Sequence, residues 1–478
     1  MPCAPSPAGR RNGPGTTASI TADVASSPLL REAIRCRATR VDAQPLAGGC
    51  NGADNPRMPK TLADWLDQIQ RQHPTAIDMG LARVREVAAR MGLKRPARRV
   101  ITVGGTNGKG STVAFVEAIA RAHGWKVGAY TSPHLLRYNE RVRIDGADAD
   151  DAALVAGFEA VEAARGDASL TYFEHGTLCA LWLFARSKLD LAVLEVGLGG
   201  RLDAVNIVDP DASIITTVDL DHQDWLGDDI EAIGFEKAGI ARPFKPLVLG
   251  DDDPPASVLR HAYAIGAQSW RIASDFFVER IDADTWRWRE VGFAMTLPMP
   301  ALAAPVQLRN AACATAALRA LGSRIDKRTY AEGIANARIA GRLQRLERDG
   351  VEVVVDVGHN PQAARALAAW LRAQPQRRTL AVYAALADKD VAGVVQALAG
   401  VVDGWHLAGL DDAGPRGQAV DDFAQRLAGT DAADGARHAG VEAALQAAMA
   451  HAGPGGRVLV FGSFHTAAAA LGHLGASG

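Results

Sequence analysis

The sequence predicts an α/β protein: an N-terminal P-loop-type parallel-sheet domain, then a smaller, Rossmann-like α/β domain. Three observations carry this. Short β-branched runs alternate with helical patterns along most of the chain, the signature of a parallel sheet wrapped by helices. The first strong run leads through Gly104-Gly105-Thr106-Asn107-Gly108-Lys109-Gly110-Ser111-Thr112 into a helix. A second series of the same kind begins near residue 345.

Residues 1–57 stand apart. They are rich in Ala, Pro, Gly, Ser and Arg, with no sustained apolar period and no continuous apolar core of a secretory signal. They read as a disordered tail or an over-extended start, with an organelle transit peptide as the weaker reading. Met58 begins a new pattern. Thr61 caps a helix that places Leu62, Trp65, Leu66 and Ile69 on one face. Strands are expected over 99–103, 126–130, 191–196, 212–217 and 246–249. A helix is expected over 111–123, stopped by Gly124. Trp270, Trp286 and Trp288 fall in a stretch whose pattern decides nothing. The join between domains is placed at 341–346, giving domains over 58–341 and 342–478. The second domain opens with a strand over 351–355 and an amphipathic helix over 362–371. Further strands are expected over 380–384, 405–408 and 457–461.

Composition narrows the function. The 478 residues suit two or three domains at roughly 100–200 residues each. A net charge of −2 gives no field that would gather nucleic acid or an anionic membrane. No apolar run approaches the ~20 residues that span a bilayer. None of the five cysteines has metal-ligand spacing, and only Cys179 and Cys313 lie beyond the N-terminal stretch. A reduced, cytoplasmic enzyme is the expectation.

The glycine-rich loop carries the first chemistry. Backbone N–H groups at a helix N-terminus attract phosphate, and glycines let the backbone approach it closely. Lys109 is placed to meet the outer phosphates. The usual P-loop has Ser or Thr directly after the Lys and a Gly five residues before the Gly-Lys pair. Here Gly110 follows the Lys and Val103 holds the earlier position, so the loop is a variant.

At this loop the sequence resembles the Mur ligase superfamily. Further motifs follow in order: Thr131-Ser132-Pro133-His134-Leu135, Arg137-Tyr138-Asn139-Glu140-Arg141-Val142 and Leu194-Glu195-Val196-Gly197-Leu198-Gly199-Gly200-Arg201-Leu202-Asp203. Then come Asp221-His222, Glu236-Lys237-Ala238-Gly239-Ile240 and Val460-Phe461-Gly462-Ser463-Phe464-His465-Thr466. Together they resemble the bacterial bifunctional dihydrofolate synthase/folylpolyglutamate synthases over residues 60 to 470. Residues 1–57 have no counterpart.

The resemblance implies an ATP-dependent ligase. A pterin carboxylate is phosphorylated, and L-glutamate then attacks the acyl phosphate. The expected substrates are ATP, L-glutamate, 7,8-dihydropteroate and tetrahydrofolate, handled by a monomer with two Mg²⁺ ions. By resemblance, Ser132, Glu195 and His222 are magnesium ligands. Glu195 also ends an apolar strand before a glycine-rich turn, where parallel sheets bind ligands. His222 is a less usual magnesium ligand. Lys237 resembles a lysine that carries a carbamate; from composition alone it reads as a surface Lys or a partner of Glu236. Thr106, Asn107, Gly108 and Lys109 are expected on the ATP phosphates, with Asn310, Arg342 and Asp356 as further nucleotide contacts. His359 is expected at the acyl phosphate, with Lys109 and Lys237 as the other catalytic groups.

The pterin is expected against Thr171, Tyr172, Phe173 and Glu174, and against Leu202, Asp203 and Ala204. The aromatic rings either stack on the heterocycle or fill core. Arg71, Gln72 and His73, after the first helix, are weaker candidates. Arg137 and Arg141 bind carboxylates or order their loop. Asp388-Lys389-Asp390 lines the cleft or forms a solvated turn. The rival readings are a peptidoglycan-precursor ligase, a folylpolyglutamate synthase without dihydrofolate synthase activity, a P-loop switch or transport ATPase, and a folate-binding module.

Overall fold

The computed structural model describes residues 60–476 apart from 74, 76 and 323. The expectations for residues 1–57 lie outside the described residues. The chain enters on helix Leu62–Gln72, whose capping box is formed by Thr61 and Asp64. Its buried face carries Leu62, Trp65 and Ile69, as the 3.6-residue period requires. This helix runs through Arg71 and Gln72, with His73 as its C-cap, so those residues end the helix rather than follow it.

The strands of the first sheet are β1 (Ala97–Gly104), β2 (Val127–Tyr130), β3 (Val142–Ile144), β4 (Ala147–Asp148), β5 (Leu189–Glu195), β6 (Ala212–Ile215), β7 (Pro246–Leu249) and β8 (Gln268–Arg271). Their order is β4-β3-β2-β5-β1-β6-β7-β8. All pairings from β2 to β8 are parallel; the short β3 and β4 run antiparallel. Val100, Ile101, Val103, Val193 and Ile214 have no solvent exposure, because helices cover both faces. After β1 the chain moves to one side and later returns on the other, with β5 and β6 flanking β1. The carboxyl ends of these three strands form the crevice where open α/β sheets bind ligands.

The undecided tryptophan stretch folds mainly as a separate antiparallel sheet: β9 (Phe276–Arg280), β10 (Thr285–Glu290) and β11 (Phe293–Pro298), in the order β11-β10-β9. Trp286 and Trp288 are wholly buried and alternate with Arg287 and Arg289, a period of two. Trp288 donates its indole N–H to Ala312 O at 3.2 Å, fixing this sheet against helix Gln307–Ala320.

The last sheet holds β12 (Gln344–Arg348), β13 (Val351–Val355), β14 (Thr379–Tyr383), β15 (Gly404–Ala408), β16 (Ala436–His438) and β17 (Arg457–Phe461). Its order is β12-β13-β17-β14-β15-β16, with only β12 antiparallel. The edge strands β12 and β16 escape the sequence reading because they are mostly polar and partly exposed. The four central strands are the ones read from their apolar runs.

Helix Tyr172–Arg186 carries a fully buried imidazole, His175, whose two ring nitrogens find no hydrogen-bond partner among the described residues. Burial pushes its pKa from 6.5 to about 4, against the pull of Glu162. Between those values the unfolded chain binds a proton that the folded chain refuses. Stability is therefore greatest above pH 6.5 and falls as the pH drops towards 4. The variant His175→Phe is expected to melt higher than the parent at pH 5, with a smaller gain at pH 8. Equal shifts at both pH values would refute this assignment.

Candidate active site

The loop after β1 is stitched to the end of β6. Thr106 N–H donates to Thr217 O at 2.8 Å, and Asn107 N–H to Thr217 Oγ1 at 3.0 Å. The Thr106 hydroxyl donates to Asp219 O and accepts from Asp219 N–H, both at 3.0 Å. Gly108, at φ 86°, caps helix Lys109–Ala122 and faces Asn310 so closely that an added Cβ would stand 2.6 Å from its Oδ1. Asn310 in turn donates to Gln307, which donates to Ser111. Gln307 was not foreseen; it ties helix Gln307–Ala320 to the phosphate loop. The free N–H groups of the first helical turn and the Lys109 ammonium share this end of the helix. Lys109 Nζ donates to Gly105 O at 2.9 Å and Thr106 O at 3.1 Å.

Four further charged groups act on that ammonium: Glu195, Asp221, Arg342 and Asp203. Burial pushes the Lys109 pKa down, opposed by Glu195 and Asp221 and reinforced by Arg342. Glu195 ends β5, buried, and accepts the Ser132 N–H at 3.1 Å. A Cβ at Gly110 would lie 3.7 Å from Glu195 Oε2 and 3.3 Å from Ile339 Cδ1. The glycine that breaks the usual P-loop pattern thus lets Ile339 pack against the helix start, while Glu195 lies at ordinary contact distance. Burial pushes the Glu195 pKa up, with Lys109 resisting. A buried carboxylate with no salt bridge among the described residues is costly unless a cation joins it. Glu195 therefore suits a hard divalent ion, for which Ser132 and His222 would be the other side-chain ligands that the resemblance assigns. Among the described residues, no three His, Cys, Asp or Glu side chains form a metal cage unaided.

His222 follows Asp221 on the connection from β6, in the left-handed region at φ 54°. Burial lowers its pKa to about 4, leaving the neutral imidazole that a metal requires. Lys237 is 4% exposed on helix Ile230–Ala238, and burial, then Lys109, lowers its pKa to about 7. Glu236 does not pair with it; that carboxylate takes the Arg201 guanidinium at 2.7 Å. The reading of Lys237 as a surface residue or a partner of Glu236 therefore fails.

The last sheet supplies the opposite wall. Asp356, at the end of β13, accepts N–H groups from Leu343 at 2.9 Å and Gly358 at 2.7 Å. Its carboxylate is thus committed to the backbone and shapes the turn that presents Arg342 and His359. The Arg342 guanidinium lies 5.6 Å from the Phe464 ring centre and acts on both Lys109 and Glu195. The His359 ring bonds through Nδ1 to Val357 O at 3.0 Å and turns Nε2 to Asp221 at 3.4 Å. Asn107 Nδ2 reaches Asn360 Oδ1 at 3.1 Å and Gln362 Oε1 at 2.5 Å. Lys389 is buried rather than part of a solvated turn, and meets Asp221 at 2.7 Å.

The aromatic candidates form a neighbouring group. Phe173 lies across Gly197, where an added Cβ would come within 2.7 Å of the ring. Gly197 and Leu198 both donate N–H to Asp203 Oδ2 at 2.9 Å, and Val205 N–H donates to its Oδ1 at 3.0 Å. Asp203 therefore holds this turn, between half-buried Leu202 and buried Ala204. Burial raises its pKa to about 7. Thr171 and Glu174 form a capping box, and Glu174 also takes Arg83 at 2.9 and 2.8 Å. Tyr172 meets Tyr138 edge to face, beside the buried Arg141. Arg141 donates to His134 Nδ1 at 2.9 Å. Arg137 is exposed, 3.5 Å from Asp151. Gln72 donates to Glu162 at 3.0 Å, His73 lies 3.4 Å from Asp78, and Arg71 pairs with Asp67 on the helix surface. The open apolar surface here is offered by Phe173 and Tyr172; Thr171, Glu174 and Asp203 hold it in place.

The Mur ligase middle domain matches residues 103–318, and the Mur ligase glutamate ligase domain matches residues 341–464. The dihydrofolate synthase/folylpolyglutamate synthase of Escherichia coli is 46% identical over 415 residues, 86% of this chain and 95% of that protein. The chain belongs to this family.

The Haemophilus influenzae dihydrofolate synthase/folylpolyglutamate synthase is 41% identical over 85% of this chain and 96% of its own length. The structure of Escherichia coli FolC in complex with DHPP and ADP superposes with a TM-score of 0.83. It is 44% identical and covers 88% of this chain and 99% of its own. A bifunctional folylpolyglutamate synthase/dihydrofolate synthase with Mn, AMPPNP and L-glutamate bound gives a TM-score of 0.81, with 42% identity, over 88% of this chain and all of its own. As a dihydrofolate synthase/folylpolyglutamate synthase family member, the chain is an ATP-dependent ligase. Among the described residues no helix is long and apolar enough to cross a membrane.

Proposed function

We propose that this chain adds L-glutamate to 7,8-dihydropteroate and to tetrahydrofolate through an acyl phosphate. The supporting observation is the meeting of Lys109, Glu195, Asp221 and Arg342 at the phosphate loop. A carboxylate oxygen of the pterin substrate attacks the γ-phosphorus and ADP leaves. The glutamate amine then attacks the acyl carbon, phosphate departs with the C–O bond pair, and the nitrogen loses a proton.

In this reading Lys109 and the helix N-terminus hold the transferring phosphoryl group. Arg342 closes on it from the other domain, and His359 stands at the acyl phosphate. Ser132, Glu195 and His222 would hold one Mg²⁺, and a carbamate on Lys237 would hold a second. When bound, these ions would supply charge neutralisation to the transferring phosphoryl group. Tyr172 and Phe173 receive the pterin. The domain boundary is taken at 341/342, and Asn107 and Asn360 face one another across the cleft between the two domains. Closure of the smaller domain excludes water that would hydrolyse the acyl phosphate. The enzyme acts as a cytoplasmic monomer; Cys179 and Cys313 are free and buried, which suits a reduced compartment.

The test is the substrate dependence of ADP release. Release that requires both a pteridine acid and L-glutamate supports the reading. Release at full rate without either acceptor supports the hydrolase alternative and overturns it. Arg342→Ala is expected to lower kcat about 100-fold while ATP affinity changes less than about 3-fold. Equal losses in both would contradict the closing role of Arg342.

A further inference from the structure

One carboxylate joins the two domains at the candidate metal ligand. Asp221 Oδ1 accepts the His222 N–H at 2.9 Å and the Lys389 ammonium at 2.7 Å. Its Oδ2 faces His359 Nε2 at 3.4 Å and accepts from Asn360 Nδ2 at 3.3 Å. Three of these four partners come from the smaller domain. Both side chains of the ion pair are enclosed, Lys389 at 6% exposure and Asp221 at 9%. Asp388 stands 3.5 Å behind Lys389 and is itself 3.4 Å from Arg416.

We propose that Asp221 and Lys389 are positioning residues. Asp221 fixes the backbone of His222 relative to His359, and Lys389 holds Asp221 in place only when the smaller domain is closed. His222 accepts the Trp225 and Leu226 N–H groups at its carbonyl, both at 3.0 Å, and gives its own N–H to Asp221. It occupies a left-handed conformation uncommon for a residue with a Cβ, and it begins a helix of only four residues. Outer groups of this kind orient metal ligands, and their loss costs about 10–100-fold in metal affinity or activity. The pair is also asymmetric in its effect. Removing Lys389 strands a buried carboxylate, which then turns to other partners or takes up a proton. The inference rests on His222 being a metal ligand, and the experiment separates that premise from the ligase reaction.

The experiment measures Mn²⁺ affinity by electron paramagnetic resonance with AMPPNP bound, alongside kcat and metal-free AMPPNP affinity. Lys389→Met is expected to weaken Mn²⁺ binding about 10-fold and lower kcat by at least about 10-fold. Metal-free AMPPNP affinity stays within about 2-fold, and Lys389→Arg restores Mn²⁺ affinity to within about 3-fold. Deleting a cation beside a metal site would by charge alone tighten Mn²⁺ binding, so the sign is decisive. Unchanged or tighter Mn²⁺ binding in Lys389→Met overturns the proposal. So does a loss that Lys389→Arg does not restore. If Lys389→Met fails to fold, Lys389→Gln is read by the same titration. The Mn²⁺ titration needs no turnover, so it remains decisive even if the assigned acceptors prove wrong.

Discussion

Lys109→Ala is expected to lower kcat by about 10²–10³-fold, the largest loss of any single change at the site. The reason lies in what the ammonium balances. Phosphoryl transfer asks little covalent help of the protein and depends on positioning and charge. Lys109 is the cation at the N-terminus of helix Lys109–Ala122, and Glu195 and Asp221 both act on it. Without it, the Glu195 carboxylate loses the strongest influence opposing its burial, and its pKa rises further. Steady-state kinetics at saturating ATP and Mg²⁺ measure the effect. A kcat within 10-fold of the parent would exclude Lys109 from transition-state stabilisation.

The second large effect concerns Lys237. A buried lysine with a pKa lowered to about 7 holds a large neutral fraction at physiological pH. The neutral amine is the form that reacts with carbon dioxide. Adding a carboxyl group turns a burial penalty into an anion beside Lys109, able to hold a second cation. Lys237→Ala is therefore expected to lose about 100-fold or more in kcat, since one preorganised charge is commonly worth that much. A short carboxylic acid added to the variant should recover part of the loss by occupying the vacated space. Intact-protein mass should show one extra carboxyl group at neutral pH and lose it in acid. Full activity of Lys237→Ala would end the assignment.

Most of the central sheet strands were legible because their runs are apolar and bounded by turn residues. β7, β13 and β17 fall where the sequence places them, since each is buried and continuous. The β9–β11 sheet was illegible for a local reason. Its Trp-Arg-Trp-Arg alternation has a period of two but spans only four residues, too few to separate a strand from a helix. The phosphate loop was legible down to the individual lysine. The roles of its neighbours were less so. Asp203, Glu174 and Asp356 are spent on backbone or Arg83 contacts that only the folded chain discloses. The pairing of Asp221 with Lys389 escaped for the same reason: they are 168 residues apart in sequence and 2.7 Å apart in space.

The most direct measurement follows the products by mass. The purified protein is incubated with ATP, Mg²⁺ and L-glutamate, together with either 7,8-dihydropteroate or tetrahydrofolate. One glutamyl unit is expected on dihydropteroate and one or more on tetrahydrofolate, with ADP and phosphate formed in step. Product from tetrahydrofolate alone would confine the enzyme to chain extension. No glutamyl product from either acceptor would contradict the proposed function.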